Sequence, residues 1–134
     1  GINMGTRLIA TGEVPGQEQD LVSIVAATER DTRLIMRPLR NTERVLKNTA
    51  VERLLAKEAS LGSALQFEDI IEEVVGVYPR VMMEGEVDAG AWSCGMVAGL
   101  IHDIPTCREL IQRIMAEAEA LIRERLPQML NAPS

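Results

Sequence analysis

The sequence predicts a single soluble domain with strand at its start and mostly helix after it, and three observations carry that prediction. The chain has 134 residues, a length that suits one domain at most. Its 46% hydrophobic and 25% charged residues match ordinary globular chains, so it can build a core. Apolar residues then recur at helical spacing through most of the chain, after a β-prone opening.

Taken in order, residues 1–11 join the apolar Leu8 and Ile9 to a glycine turn and read as a short strand that stops at the breakers Gly12, Pro15 and Gly16. From Glu18, the spacing of Leu21, Ile24 and Val25 predicts a helix of modest length ending in the charged Glu29-Arg30-Asp31. Residues 32–36 form a compact apolar run bounded by arginines, long enough for a strand. Asn41 is read as the cap of a helix to about Ala59, with Val45, Leu46, Thr49, Leu54 and Leu55 facing a core and Gly62 beyond it as a stop. Residues 67–75 repeat the amphipathic pattern and stop at Gly76 and Pro79; residues 81–83 are brief, and residues 85–90 are acidic and loop-like. Residues 91–101 are read as a helix interrupted by Gly95 and Gly99. Thr106-Cys107-Arg108-Glu109 is a capping box that opens a long final helix.

Charge and composition exclude several functions. Lys and Arg number 14 against 20 Asp and Glu, so the net charge is 14 − 20 = −6, which disfavours a nucleic-acid binder and an acidic membrane surface. Two cysteines and one histidine leave no structural zinc site and no disulfide framework. No apolar run reaches the ~18 residues of a membrane span, and the opening lacks a secretory-signal layout, so the expected compartment is the cytoplasm.

Several residues carry chemistry. Met4-Gly5-Thr6 after a β-prone stretch is a candidate anion cradle, since glycine lets backbone N–H groups approach an oxyanion and threonine adds a hydroxyl; an ordinary turn is the competing reading. Each glycine inside a helix costs about 1 kcal/mol against alanine. In residues 91–101 the compensation is either close packing of a face shared by Ala91, Gly95 and Gly99, or a helix start opening onto a ligand, with Ser93 offering a hydroxyl. His102 has no neighbour pattern that identifies a catalytic triad, and Cys94 and Cys107 read as small hydrophobes. Arg37, Arg40, Arg44 and Lys47 at helical spacing are a basic stripe or a solvated face, and Glu68, Asp69, Glu72 and Glu73 are the wet side of a helix.

Three ordered stretches resemble one family. They are Ile2-Asn3-Met4-Gly5-Thr6-Arg7-Leu8-Ile9-Ala10-Thr11, then Leu34-Ile35-Met36-Arg37-Pro38-Leu39-Arg40-Asn41-Thr42-Glu43-Arg44-Val45, then Asp88-Ala89-Gly90-Ala91-Trp92-Ser93-Cys94-Gly95 with Gly99-Leu100-Ile101-His102-Asp103-Ile104-Pro105. Together they resemble the carboxy-terminal part of the nitronate monooxygenase family, formerly 2-nitropropane dioxygenase, and most closely its FMN-dependent NADH:quinone reductase branch. The resemblance implies an α/β TIM-barrel flavoprotein, of which this chain is the last barrel strand region plus a mostly helical carboxy-terminal part. The implied division is 1–30 as the end of the FMN-binding barrel, 31–104 as a helical segment of a smaller domain, and 105–134 as a long final helix. A barrel needs ~250 residues, and the opening at Gly1 reads as the interior of a longer chain, so the resemblance implies a fragment inactive alone.

Carried over residue by residue, Gly5 and Thr6, with Met4 adjacent, would hold the FMN phosphate, and Ser93 would lie near the flavin and face the substrate. Implied partners are NAD(P)H, a quinone or a nitronate, with homo-oligomer formation. The family's catalytic histidine belongs to a segment upstream of Gly1, and His102 stands where the family often has an acidic residue. Pro38 replaces an expected serine, and Gly16-Gln17-Glu18 lacks the histidine usual after the proline. The competing reading is a non-catalytic helical module that binds a protein partner through its final helix. A third is assembly through uncovered barrel surface.

Overall fold

The computed structural model describes residues 2–14 and 18–130; Pro15, Gly16 and Gln17, read as a break, lie outside the described residues. The chain forms two compact units, Gly1–Ile104 and Pro105–Ser134.

The opening is helix α1, Gly5–Ile9, where the sequence predicts a strand. Leu8 and Ile9 are strand-prone, but five residues are too few for local preference to prevail over tertiary contacts. Here Leu8 N–H bonds Met4 C=O at 2.9 Å, Thr11 Oγ1 donates to Leu8 C=O at 2.8 Å, and Ala10 enters the core. Arg7 fixes this turn by donating to Asp103 Oδ1 at 2.8 Å and to the Asp103 carbonyl at 3.1 Å. Helix α2, Glu18–Ala26, follows as expected, ending before the charged run.

Strands β1, Thr32–Ile35, and β2, Glu43–Leu46, pair antiparallel with Thr32 opposite Leu46 and Ile35 opposite Glu43. This overturns the helix from Asn41. The hairpin loop turns through Met36 and Arg40, both at positive φ, and Met36 N–H is held by the Glu58 carboxylate. Arg37 and Arg40 therefore stand in a loop and Arg44 in a strand, with no helical stripe. Helix α3, Thr49–Leu61, begins seven residues later than read, capped by Asn48 instead of Asn41, and Asn48 Oδ1 accepts from Val51 N–H at 2.8 Å.

Residues 67–75 split into a 3₁₀ turn, Phe67–Ile70, and the short helix α4, Ile71–Val74. Gly76 at φ 71 reverses the chain into α5, Val77–Glu84, which replaces the brief segment read at 81–83. Pro79 does not stop this helix: it is the third residue, where the missing N–H has no intrahelical partner to lose.

Residues 91–95 are extended, not helical. Leu46 N–H donates to Trp92 C=O at 3.2 Å, Cys94 N–H donates to Arg44 C=O at 3.0 Å, and Val45 bridges Ser93 antiparallel, so this segment lies along β2. A 3₁₀ turn, Met96–Leu100, follows. Ala91, Gly95 and Gly99 thus share no helical face. Gly99 passes so close to the main chain that a Cβ would stand 2.6 Å from Glu29 N.

Alternation along these strands builds a core on each face of the small sheet. Val45 and Ala91 pack with Ile35, Val51, Leu54 and Ile70, while Leu46, Trp92 and Cys94 pack with Ile24, Val77, Val81 and Ile101. Glu73, read as part of a wet face, is buried at 4% exposure, with both carboxylate oxygens 2.9 Å from Lys57 Nζ. Burial is tolerable because the charge is paired.

In the second unit the capping box predicted at Thr106 is present, with Thr106 Oγ1 accepting from Glu109 N–H at 3.2 Å and Glu109 Oε2 accepting from Thr106 N–H at 2.8 Å. It opens α6, Cys107–Ala120. A π turn, Leu121–Arg125, then leads into α7, Leu126–Leu130, interrupting the single helix expected.

Candidate functional site

The segment 92–95 organises the site. Trp92 anchors it, fully buried, with Nε1 donating to Val87 C=O at 3.2 Å. Successive N–H groups in a strand point to opposite edges, so with Cys94 N–H turned to β2, those of Ser93 and Gly95 face the other edge. Each is met by a hydroxyl: Gly95 N–H donates to Thr6 Oγ1 at 2.9 Å, and Ser93 N–H donates to the Tyr78 hydroxyl at 3.0 Å.

Two of the sequence-predicted residues are therefore brought together. Thr6, on α1, is joined through Gly95 to the strip that carries Ser93, and the two positions on that strip are roughly 7 Å apart at ~3.3 Å per residue. Because Thr6 Oγ1 accepts from Gly95, its own proton is left to donate. Gly5 is exposed, and a Cβ there would meet nothing nearer than Asn3 Oδ1 at 3.8 Å, so one face of the turn is open to a ligand. Gly5 N–H is held at 3.3 Å by Asn3 Oδ1, a long bond that an incoming anion can replace. Thr6 and Arg7 N–H, in the first turn of α1, have no intrahelical acceptor. Met4 sits half-buried just before that turn. These donors fit a phosphate.

Ser93 faces outward between buried Trp92 and Cys94. Its hydroxyl accepts from Tyr78 O–H at 2.8 Å and donates to a carboxylate oxygen of Glu43. Glu43 and Val45 lie on one face of β2, and the Val45–Ser93 bridge puts Ser93 on that face too. Reading residues 41–59 as one helix hid Glu43, and reading 79 as a stop hid Tyr78. Tyr78 is the chain's single tyrosine, 44% exposed and hydrogen-bonded at its hydroxyl.

The remaining candidates fall away from this strip. His102 is exposed in the irregular stretch after the 3₁₀ turn. Cys94 is buried, which pushes its thiol up to about 11 and keeps it protonated. Among the described residues no group of acidic, histidine and cysteine side chains could hold a metal, and no helix is long and apolar enough to cross a membrane. A separate open cleft of about 610 Å³ lies between α2, the start of α3 and residues 87–88, lined by Lys47, Asp31, Asp88 and Glu52 among others. Lys47 of the expected basic stripe lines it, but Met4, Gly5, Thr6 and Ser93 do not.

Comparison with known proteins gives the family of the chain. A model of the family described as nitronate monooxygenase matches residues 1–117, so the chain belongs to that family of TIM-barrel flavoprotein oxidoreductases. The solved structure of FabK from Thermotoga maritima superposes with a TM-score of 0.81 at 27% identity, over 92% of this chain and 38% of that one. The FabK (M276A) mutant from the same organism superposes with a TM-score of 0.73 at 25% identity, over 92% and 35%. A 37-residue stretch, 28% of this chain, is 46% identical to (3aS,4S,5R,7aS)-5-hydroxy-7a-methyl-1-oxo-octahydro-1H-indene-4-carboxyl-CoA dehydrogenase of Rhodococcus jostii (strain RHA1). A 37-residue match, again 28% of this chain, is 40% identical to the protein of that name from Mycobacterium tuberculosis (strain ATCC 25618 / H37Rv). Each match spans a tenth of its curated relative, and the chain spans little more than a third of the FabK structures.

Proposed function

We propose that this chain is the phosphate-binding and substrate-facing part of an FMN-dependent oxidoreductase of the NAD(P)H:quinone reductase or nitronate monooxygenase type. The observation that supports this best is the Gly95–Thr6 hydrogen bond, which joins the phosphate turn to the Ser93 strip and leaves the threonine proton free to donate. In this reading Gly5 and Thr6 bind the flavin phosphate through the first-turn N–H groups and the threonine hydroxyl, with Met4 beside them. When bound, FMN supplies the two-electron redox chemistry. The chain's own share is placement and electrostatics: the Ser93 hydroxyl, aimed by its two partners, orients the substrate. The described residues hold one small sheet and not the eight strands of a barrel, so the 134 residues alone bind flavin without turning over.

The test is an FMN fluorescence-quenching titration of the chain and of its Gly5→Asp, Thr6→Val and Ser93→Ala variants. Saturable binding that Gly5→Asp abolishes, Thr6→Val weakens about tenfold and Ser93→Ala leaves within about threefold is the expected pattern. Binding that is indifferent to Gly5→Asp overturns the assignment of the phosphate site.

A further inference from the structure

We infer that Glu43 and Tyr78 are specificity-determining residues: they set Ser93 as a hydrogen-bond acceptor beside a fixed negative charge, so that this site takes a neutral ligand carrying an N–H donor, a carboxamide, and rejects an anionic one such as a nitronate. The inference rests on the flavin reading above and selects between the two electron donors that it leaves open.

The protons and lone pairs of the cluster are all accounted for. An ionised carboxylate can only accept, so the Ser93–Glu43 contact commits the serine proton to Glu43. The Tyr78 hydroxyl receives Ser93 N–H, and its own proton goes to Ser93 Oγ. Every hydroxyl proton of the cluster is thereby spent inside it. What remains to face a ligand is one lone pair on Ser93 Oγ, one on Tyr78, and the second oxygen of Glu43, all acceptors. Among the described residues no lysine, arginine or histidine pairs with the Glu43 carboxylate, so its charge is uncompensated there. Arg44, the neighbouring cation, turns its guanidinium to Thr32 Oγ1 at 2.8 Å.

Three elements converge to make this arrangement, which sets it apart from a chance surface contact. Glu43 comes from β2, Tyr78 from α5 and Ser93 from the strip held to β2 by the Val45 bridge, with Trp92 pinning the strip beneath. A serine free to rotate would donate to an anion or accept from an amide equally well; this one has lost the choice. A nitronate places negative charge on its oxygens and meets only acceptors here. The carboxamide of a reduced nicotinamide brings two N–H donors and no charge.

Nicotinamide and nicotinate test this directly, because they share a ring and differ as carboxamide and carboxylate. Each is titrated by calorimetry into the wild-type chain and into the Glu43→Gln and Tyr78→Phe variants, whose folding is checked by circular dichroism. The expected result is nicotinamide bound about tenfold more tightly than nicotinate by wild type, a ratio that falls within about threefold in Glu43→Gln, where the negative charge is removed and the amide adds an N–H donor. Equal or tighter nicotinate binding, no saturable binding of either, or an unchanged ratio in both folded variants overturns the inference; if neither variant folds, the wild-type ratio decides. A parallel FMN titration of Thr6→Val reads the flavin assignment separately: FMN binding unchanged there sinks that reading while the amide-to-acid ratio is still measured.

Discussion

Gly90 has no room for a side chain: a Cβ would stand 2.5 Å from Glu73 C=O and closer still to a Val77 methyl. Gly90→Ala is therefore expected to cost about 1–3 kcal/mol, read as a lower urea midpoint. The carboxylate of the same Glu73 is pinned by Lys57, with Arg53 at 4.0 Å. Glu73→Gln leaves the ammonium with weaker acceptors, but Lys57 is 37% exposed and can turn to water, so the expected loss is about 1–3 kcal/mol rather than that of a fully buried pair. Neither cost was visible in the spacing of the acidic residues. Periodicity reports which face a residue occupies, and it placed Glu73 outward because three of its acidic neighbours are outward.

Among elements, α3 depends most on one side chain. Asn48 accepts from Val51 N–H, and its amide donates to Val87 C=O at 2.7 Å and Gly90 C=O at 2.8 Å, tying the helix start to the loop that precedes the Ser93 strip. Asn48→Ala removes the cap and orphans two carbonyls, an expected loss of about 2–3 kcal/mol by thermal unfolding. The π turn at Leu121–Arg125 has an equally local cause. Pro127 lacks an N–H for the Arg123 carbonyl and its ring crowds that turn, and the helix absorbs the conflict by widening to an i→i+5 bond from Leu126 to Leu121. Pro127→Ala is expected to restore regular α-helix from α6 into α7, seen as loss of that bond in amide exchange and carbon chemical shifts.

At the scale of the whole molecule, stability should fall at both ends of the pH range. Asp31 is held below its ordinary 3.8 chiefly by the backbone N–H and hydroxyl of Thr28. Its carboxylate stabilises the fold above the unfolded value, and that contribution disappears as pH drops through the lower folded value. Burial raises Cys94 from 9.0 to about 11, so its contribution is complete below about 9 and is lost as pH rises toward about 11. Cys94→Ala should flatten the alkaline limb of a stability-against-pH curve and leave the acid limb unchanged. For the same reason native Cys94 should resist alkylation at neutral pH and react on unfolding.

Legible in the residues alone were the family, the Thr106 capping box that opens the final helix, and the helices with clean apolar stripes. Each of these is written in local spacing, capping chemistry or an ordered set of short motifs. The tertiary structure alone decided that α1 is helix, that β2 pairs with β1 instead of extending α3, and that residues 91–95 lie extended along β2. In each case a short run of residues has no strong preference of its own and takes the conformation its neighbours can hydrogen-bond. The Glu43–Ser93–Tyr78 cluster follows from that pairing, because its three residues come from three elements and meet only when the strip is seated. Separation along the chain, 50 residues between Glu43 and Ser93, carries no signal that one sequence can show.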